Sequence, residues 1–313
     1  MSNTSSDNYK VWFITGVTGG AGKALASRLL EIGGYKVAGT SRSKEKLNSL
    51  DGSLISNKDF LRLQVNLIDE KNVKESIEET IKKFGKIDII VNNAGQSIFG
   101  SVEEITDKEQ RLLMDVLYFG PCNVIRSVLP HFRKRKSGLI FNISSVIGGD
   151  PTNNVPFFSG YCAGKSAIHS MTQCLREEVK QFNINVCCIL LGYLKTSFSS
   201  PLTTNQIKDY NLKEKANDMN KQFQNNTPES PINFANFIIE NSKHSNIPQT
   251  IQFGKNPYHN PNNSNNPNNN NKPSYPHQKV RVNQDLPKQF DKDIANLPEL
   301  TDGNIHMPYI LHE

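Results

Sequence analysis

The chain has 313 residues, of which 36% are hydrophobic and 21% charged, with a net charge of +6. That suffices for one large domain with a tail or for two modest domains, of ordinary globular composition rather than disordered or fibrous. No run of about 18 apolar residues offers a membrane span, and residues 1–10 lack the apolar stretch of a secretory signal, so a cytoplasmic protein is expected.

From residue 11 onward, short apolar runs rich in β-branched side chains alternate with segments of helical period. Strands are expected at 11–15, 36–40, 61–65, 87–92, 139–143, 184–190 and 250–253, and helices at 23–32, 73–84, 108–117, 123–132, 163–182 and 232–239. Strands joined by crossover helices form a parallel sheet covered on both faces. The expected fold class is therefore α/β, a doubly wound parallel seven-stranded sheet of the Rossmann type. The basic run Arg133 to Lys136 follows a helix, where cations complement the helix dipole; a nucleic-acid patch is the lesser reading, and no nucleic-acid partner is expected. Residues 197–230 are polar, partly helical and without a strand, which suits a mobile flap over a site.

The division expected is a flexible N-terminus at 1–9, a Rossmann-fold catalytic domain at 10–255, an Asn/Pro-rich linker at 256–279 and a tail at 280–313. The linker cannot bury enough apolar surface to offset its ordering entropy, so disorder is expected there. The five cysteines (Cys122, Cys162, Cys174, Cys187 and Cys188) include no C-x-x-C pair and no histidine at ligand spacing. Reduced thiols and no metal follow, with Cys187 and Cys188 facing opposite sides of one strand.

The first strand runs into Gly16-Val17-Thr18-Gly19-Gly20-Ala21-Gly22 and then a helix. Glycines permit the tight turn and close backbone approach, while the helix N-terminus attracts an anion such as a pyrophosphate. A nucleoside-triphosphate loop is excluded because Lys23 is followed by Ala24, leaving no hydroxyl for Mg²⁺. A merely structural turn is the remaining alternative. After the second strand stand Ser41 and Arg42, where an NAD site would place a carboxylate for the ribose 2′-hydroxyl. Arginine can pair with a 2′-phosphate, so NADP(H) is favoured over NAD.

Further runs complete a pattern. Thr15, Gly16, Gly20 and Gly22 form the turn, and Asn92-Asn93-Ala94-Gly95 follows the fourth strand. Asn142-Ile143-Ser144-Ser145 closes the fifth strand, and Tyr161 and Lys165 open the next long helix. Gly192, Thr196 and Phe198 follow the sixth. Together these resemble the short-chain dehydrogenase/reductase family, single-domain type, and its NADP-dependent hydroxysteroid, retinol and carbonyl-reducing members. The spacing of Gly16, Gly19 and Gly22 also fits the extended, sugar-nucleotide epimerase branch, against which the Asn-Asn-Ala-Gly run and the short C-terminal region argue.

The resemblance implies an oxidoreductase that moves hydride between NADP(H) and an alcohol or carbonyl. Gly16, Thr18, Gly19, Gly20, Gly22, Ser41, Arg42, Asn93, Ala94, Gly95, Tyr161, Lys165, Gly192 and Thr196 would bind the cofactor. Ser145 would orient the substrate oxygen, Tyr161 would be the general acid/base, and Lys165 would tune it. The chemistry is consistent: a free tyrosine is ionised only about once in a thousand at pH 7. A lysine ~4 Å away contributes about 4 kcal/mol at an effective dielectric of 20, or roughly three pKa units. Ser144 is the alternative serine.

Three positions and one interval depart from the family pattern. Leu117 occupies the place of a fourth catalytic residue, an asparagine that holds a water beside the lysine. Gln64 replaces an adenine-binding aspartate, Leu191 replaces a proline, and the interval from Ser145 to Tyr161 is longer than usual. Leu117 motivates a second reading, a catalytically impaired NADP(H) sensor or scaffold; a third makes the Asn-rich tail an interaction segment. The scarcity of charge in the expected cleft suggests an apolar small-molecule substrate. By resemblance, helices 108–117 and 163–182 would pack against their copies in a homodimer or homotetramer.

Overall fold

The structure is a computed structural model, and it describes residues 9–150, 153–224 and 227–255. The expectations for the N-terminal residues before Tyr9, the 256–279 linker and the 280–313 tail lie outside those residues. The described part holds seven strands: β1 (Lys10–Thr15), β2 (Tyr35–Ser41), β3 (Phe60–Gln64), β4 (Ile89–Asn92), β5 (Gly138–Ile143), β6 (Ile184–Leu191) and β7 (Thr250–Phe253). They form one sheet in the order β3-β2-β1-β4-β5-β6-β7, and every pairing is parallel. The order reverses between β1 and β4. In open sheets of this kind, ligands bind beyond the carboxyl ends of the strands at that reversal.

Alternation along each strand divides the core into two layers. Trp12, Ile14, Val37, Val91, Phe141, Cys187 and Ile189 pack on one face, against α1 (Gly20–Ile32) and α9 (Pro231–Asn241). Val11, Phe13, Ala38, Ile90, Ile140 and Val186 pack on the other, against α4 (Glu70–Phe84), α6 (Gly120–Arg135) and α7 (Ser159–Val179). Cys187 and Cys188 point to opposite faces as expected, and all five cysteines are free. The short helices α2 (Lys44–Asn48) and α3 (Gly52–Ile55), and α8 (Leu212–Gln224), complete the set with α5 (Asp107–Met114). None of α2, α3 and α8 was expected individually; α8 lies within the partly helical flap.

Local chemistry explains the helix limits. Asp69 caps α4 through the Asn72 N–H, Lys82 and Lys83 sit in its last turn, and Gly85 ends it at φ 79°. The basic run belongs to the end of α6, where Lys136 closes the helix in the left-handed region. Arg135 is tied inward, pairing with Asp88 at 2.7 Å while Asp88 also accepts from the Val11 N–H. Part of the run is thus structural.

Between α5 and α6 the chain forms a π-helical turn, Asp115–Phe119, rather than ending near Leu117. The resulting continuous stretch, Asp107–Arg135, is long and apolar enough by length and composition alone to cross a membrane, a property that a core helix shares. In this fold Leu113, Leu117, Val124, Val128 and Phe132 of that stretch lie in the core.

Candidate active site

The glycine turn is built at the sheet reversal. The Gly16 and Val17 N–H groups both donate to the Thr40 carbonyl, which fixes the exit from β1 beside β2. Gly16 and Gly20 have φ of 76° and 54°, which side chains rarely adopt. Helix α1 begins at Gly20, three residues before the expected Lys23, because the turn glycines form its first turn. Its N-cap, Gly19, offers no side-chain acceptor, and no acidic residue stands in the first turn. The leading N–H groups are therefore available to an anion.

The Asn93 amide closes the other side. Its Nδ2 donates to the carbonyls of Thr15 (2.9 Å) and Gly16 (3.2 Å). Thr15 Oγ1 in turn accepts from the N–H groups of Asn93 and Ala94, both at 3.0 Å. A methyl group on Gly22 would come within 2.2 Å of the Gly16 carbonyl oxygen and 2.5 Å of Asn93 Nδ2. The sequence pattern named Gly16, Gly22, Asn93 and Ala94, and the structure brings them together. Gly95 follows at the rim, exposed, on the side facing Leu117 and Lys165.

At the end of β2, Thr18 Oγ1 and buried Ser41 Oγ lie 3.3 Å apart, and Ser41 Oγ accepts from the Ser43 N–H. Arg42 is exposed, with no carboxylate partner among the described residues, and its carbonyl accepts from Gln64 Nε2. On the far side, Gly192 is pinned by its N–H to the Phe253 carbonyl at 2.7 Å. From there the chain returns over the turn, so that Thr196 faces Gly20 and Ser197 faces Gly19. A strand-end cradle of glycines, free helix N–H groups and a covering loop fits a dinucleotide with its pyrophosphate at the head of α1.

Ser145, Tyr161 and Lys165 converge on the same edge. The Ser145 hydroxyl stands near enough to the Tyr161 phenol to act on it electrostatically, and Ser145 Oγ accepts from the Ile147 N–H at 3.2 Å. Ser144 is engaged elsewhere, donating to the Lys165 carbonyl at 2.8 Å. Lys165 is buried, and its Nζ donates to the Ile143 carbonyl at 2.7 Å while lying 5.7 Å from the centre of the Tyr161 ring.

The electrostatics differ from the sequence expectation. Burial pushes the Tyr161 phenol up to about 12, only partly opposed by the nearby Ser145 hydroxyl. Burial likewise pushes Lys165 down to about 8, the nearby Cys188 thiol opposing it. Lysine does not lower the tyrosine here because its ammonium is turned to a carbonyl and desolvation of the phenol outweighs it. The phenol is a proton donor throughout the neutral range.

Leu117 lies on the π turn, in an apolar patch with Ile98 and Leu113 that also touches Tyr161. It fills the space between two glycines: a methyl on Gly164 would meet its Cβ at 2.8 Å, and one on Gly95 would meet its Cδ2 at 3.5 Å. Next to the strand ends runs a polar chain that the motifs did not flag as a unit. Asn92 Nδ2 donates to Asn142 Oδ1 (2.8 Å), and Asn142 Nδ2 donates to Thr172 Oγ1 (2.9 Å).

An aromatic wall, also missed, stands over Tyr161. Phe158 and Phe198 lie 6.2 and 6.4 Å from its ring, and Phe99 stacks on Phe157 at 5.3 Å. Phe157 holds φ at 67°, a strained value for a bulky residue, within the lengthened interval after Ser145. Aromatics scattered along a sequence carry no spacing signal that would have grouped them.

Two substitutions test this construction. Gly22→Ala should lower stability by about 1–3 kcal/mol, the usual cost of overpacking, and abolish dinucleotide binding measured by calorimetry; unchanged binding would mean that the close approach is not needed. Leu117→Asn should cost about 1–3 kcal/mol in chemical denaturation by placing an amide in an apolar patch.

The family model for short chain dehydrogenases matches residues 10–207. The chain is 33% identical over 203 residues to a 3-ketodihydrosphingosine reductase of Bacteroides thetaiotaomicron, covering 64% of this chain and 70% of that protein. It is 32% identical over 210 residues to dehydrogenase/reductase SDR family member 7B of Xenopus laevis, covering 64% of each. The crystal structure of a short-chain dehydrogenase from Streptomyces avermitilis superposes with a TM-score of 0.69 at 28% identity, covering 79% of this chain and 88% of that one. The glycine cradle, the Ser145–Tyr161–Lys165 cluster and these matches agree: the chain belongs to the short-chain dehydrogenase/reductase family of oxidoreductases.

Proposed function

We propose that the protein is an NADP(H)-dependent reductase of apolar ketones, working as carbonyl to alcohol. The observation that carries this reading is the neighbouring hydroxyls of Ser145 and Tyr161, set against an apolar wall at the mouth of the glycine cradle. Arg42 beside the cradle, with no carboxylate paired to it among the described residues, supports NADP(H) over NAD through its capacity to hold a 2′-phosphate. Phe99, Phe158, Leu202 and Leu212 around Tyr161 support an apolar substrate. A relative named as a reductase of 3-ketodihydrosphingosine is consistent with a ketone on a long chain.

When bound, the dinucleotide supplies hydride to the carbonyl carbon. The chain's own residues manage the oxygen. The Ser145 and Tyr161 hydroxyls donate to it and stabilise the charge it acquires. The phenol, held protonated by burial, transfers its proton to the alkoxide. Lys165, one donor engaged by the Ile143 carbonyl, keeps two more and a positive charge to stabilise the phenolate left behind. Leu117 gives the site no polar group at the place of the fourth residue, so reprotonation of Tyr161 takes another route. The non-catalytic reading gains nothing from the relatives, which are named as reductases. The same proposal sets a second copy of the chain against α5 and α7.

Arg42→Ala should weaken NADPH binding ~10- to 100-fold, the worth of a charge-assisted hydrogen bond, and leave NADH nearly unchanged; equal losses for both would remove the 2′-phosphate argument. Because kcat/KM reports ionisations of the free enzyme, reduction should be flat below about pH 7 and fall through about pH 8 as Lys165 loses its charge. Tyr161, at about 12, should add no break in that range. Tyr161→Phe should lose reduction almost entirely while binding NADPH normally.

A further inference from the structure

The substrate side of the site is covered by residues 197–224, and this cover is tied down by carboxylates that the reaction does not use. Phe99 and Leu202 form an isolated bridge, with the Phe99 N–H donating to the Pro201 carbonyl and the Thr203 N–H to the Phe99 carbonyl, both at 2.9 Å. Glu104 is fully buried; its Oε2 accepts from the Ser101 N–H (3.0 Å) and its Oε1 from the Ile207 N–H (2.9 Å).

Glu109 is still more heavily engaged. Its Oε2 accepts from the Thr106 N–H (3.0 Å), the Thr106 hydroxyl (2.9 Å) and the Thr203 hydroxyl (2.7 Å). Its Oε1 accepts from the Thr204 N–H (2.9 Å) and hydroxyl (3.1 Å). No lysine or arginine pairs with either carboxylate among the described residues. Peptide N–H groups and hydroxyls alone hold these charges, and hydrogen bonds of that kind keep both acids ionised.

Capping α5 needs only the Thr106 bonds of Glu109. The remaining bonds, and the one from Glu104 to Ile207, run across more than ninety residues to the cover. The other end of the cover is fixed separately, where Leu194 bridges Glu229. What the carboxylates position is apolar: Leu202, Leu212, Ala216 and Met219 pack with Phe99, Phe158 and Tyr161.

We propose that Glu104 and Glu109 are positioning residues that moor the cover at Thr203, Thr204 and Ile207, and so set the space above Tyr161 that admits the substrate. This rests on the reductase reading for its kinetic consequence, though not for its structural one. Releasing the mooring raises KM for bulky apolar ketones far more than it lowers kcat, and leaves the cofactor cradle alone.

The test uses the full chain with Glu104→Gln, Glu109→Gln and Thr203→Val, the last removing one hydroxyl donor without stranding a charge. Expected are a KM for a long-chain 3-ketone raised roughly tenfold, the worth of one hydrogen bond to a charged acceptor, a kcat within about twofold and an NADPH affinity within about twofold. Limited proteolysis should cut faster between residues 197 and 224 in each folded variant. Unchanged KM and unchanged cleavage in a folded Thr203→Val would overturn the proposal. If the wild type reduces no ketone, the reductase reading fails by itself, and the proteolysis comparison still decides the mooring. Should the glutamine variants fail to fold, Thr203→Val alone decides both readouts.

Discussion

The whole carboxyl edge of the sheet depends on one contact, the approach of α1 to the turn that precedes it. The Gly22 backbone sits where any side chain would strike the Gly16 carbonyl or the Asn93 amide. Asn93 answers by bonding two successive carbonyls at the end of β1. Strands β1 and β4 are thereby locked where their order reverses, and the head of α1 is left with free N–H groups over the gap. Everything proposed for the cofactor follows from that geometry. Without the clamp there is neither a pyrophosphate site nor a fixed edge from which Ser145 and Tyr161 can be measured.

The second constraint is desolvation. Tyr161 is shielded by Phe158, Phe198 and Leu117, and Lys165 is buried between α7 and β5. Burial acts on the two groups in opposite senses, raising the acid and lowering the base. A site so arranged favours proton donation by the phenol, which is what reduction requires. Leu117 adds to the apolar surroundings of the tyrosine, packing against it and fitting two glycines that leave it room.

Much of this was legible in the sequence. All seven strands lie within two residues of their expected limits, because apolar runs between turn residues are unambiguous in a doubly wound sheet. The glycines, Asn93, Ser145, Tyr161 and Lys165 were identified by motif and are brought to one edge. Beyond the polar chain and the aromatic wall, three further features were not legible. The lysine's effect on the tyrosine was argued from charge alone, whereas the fold decides it by burial and by the Ile143 carbonyl. The π turn at Leu117 has no sequence period of its own. Glu104 and Glu109 act across the fold on partners far along the chain, a role for which local sequence carries no signal, and the capping box of Thr106 and Glu109 is seen only in the structure.

The central claim is that Tyr161 protonates an oxygen while hydride is delivered to its carbon. Single-turnover oxidation of NADPH, followed by absorbance with a long-chain 3-ketone and repeated with NADPH deuterated at the transferred position, tests it most directly. The account predicts a primary isotope effect in the wild type and no hydride transfer in Tyr161→Phe despite normal NADPH binding. Undiminished transfer in Tyr161→Phe would contradict it, as would tight NADPH binding with no transfer to any ketone by the wild type.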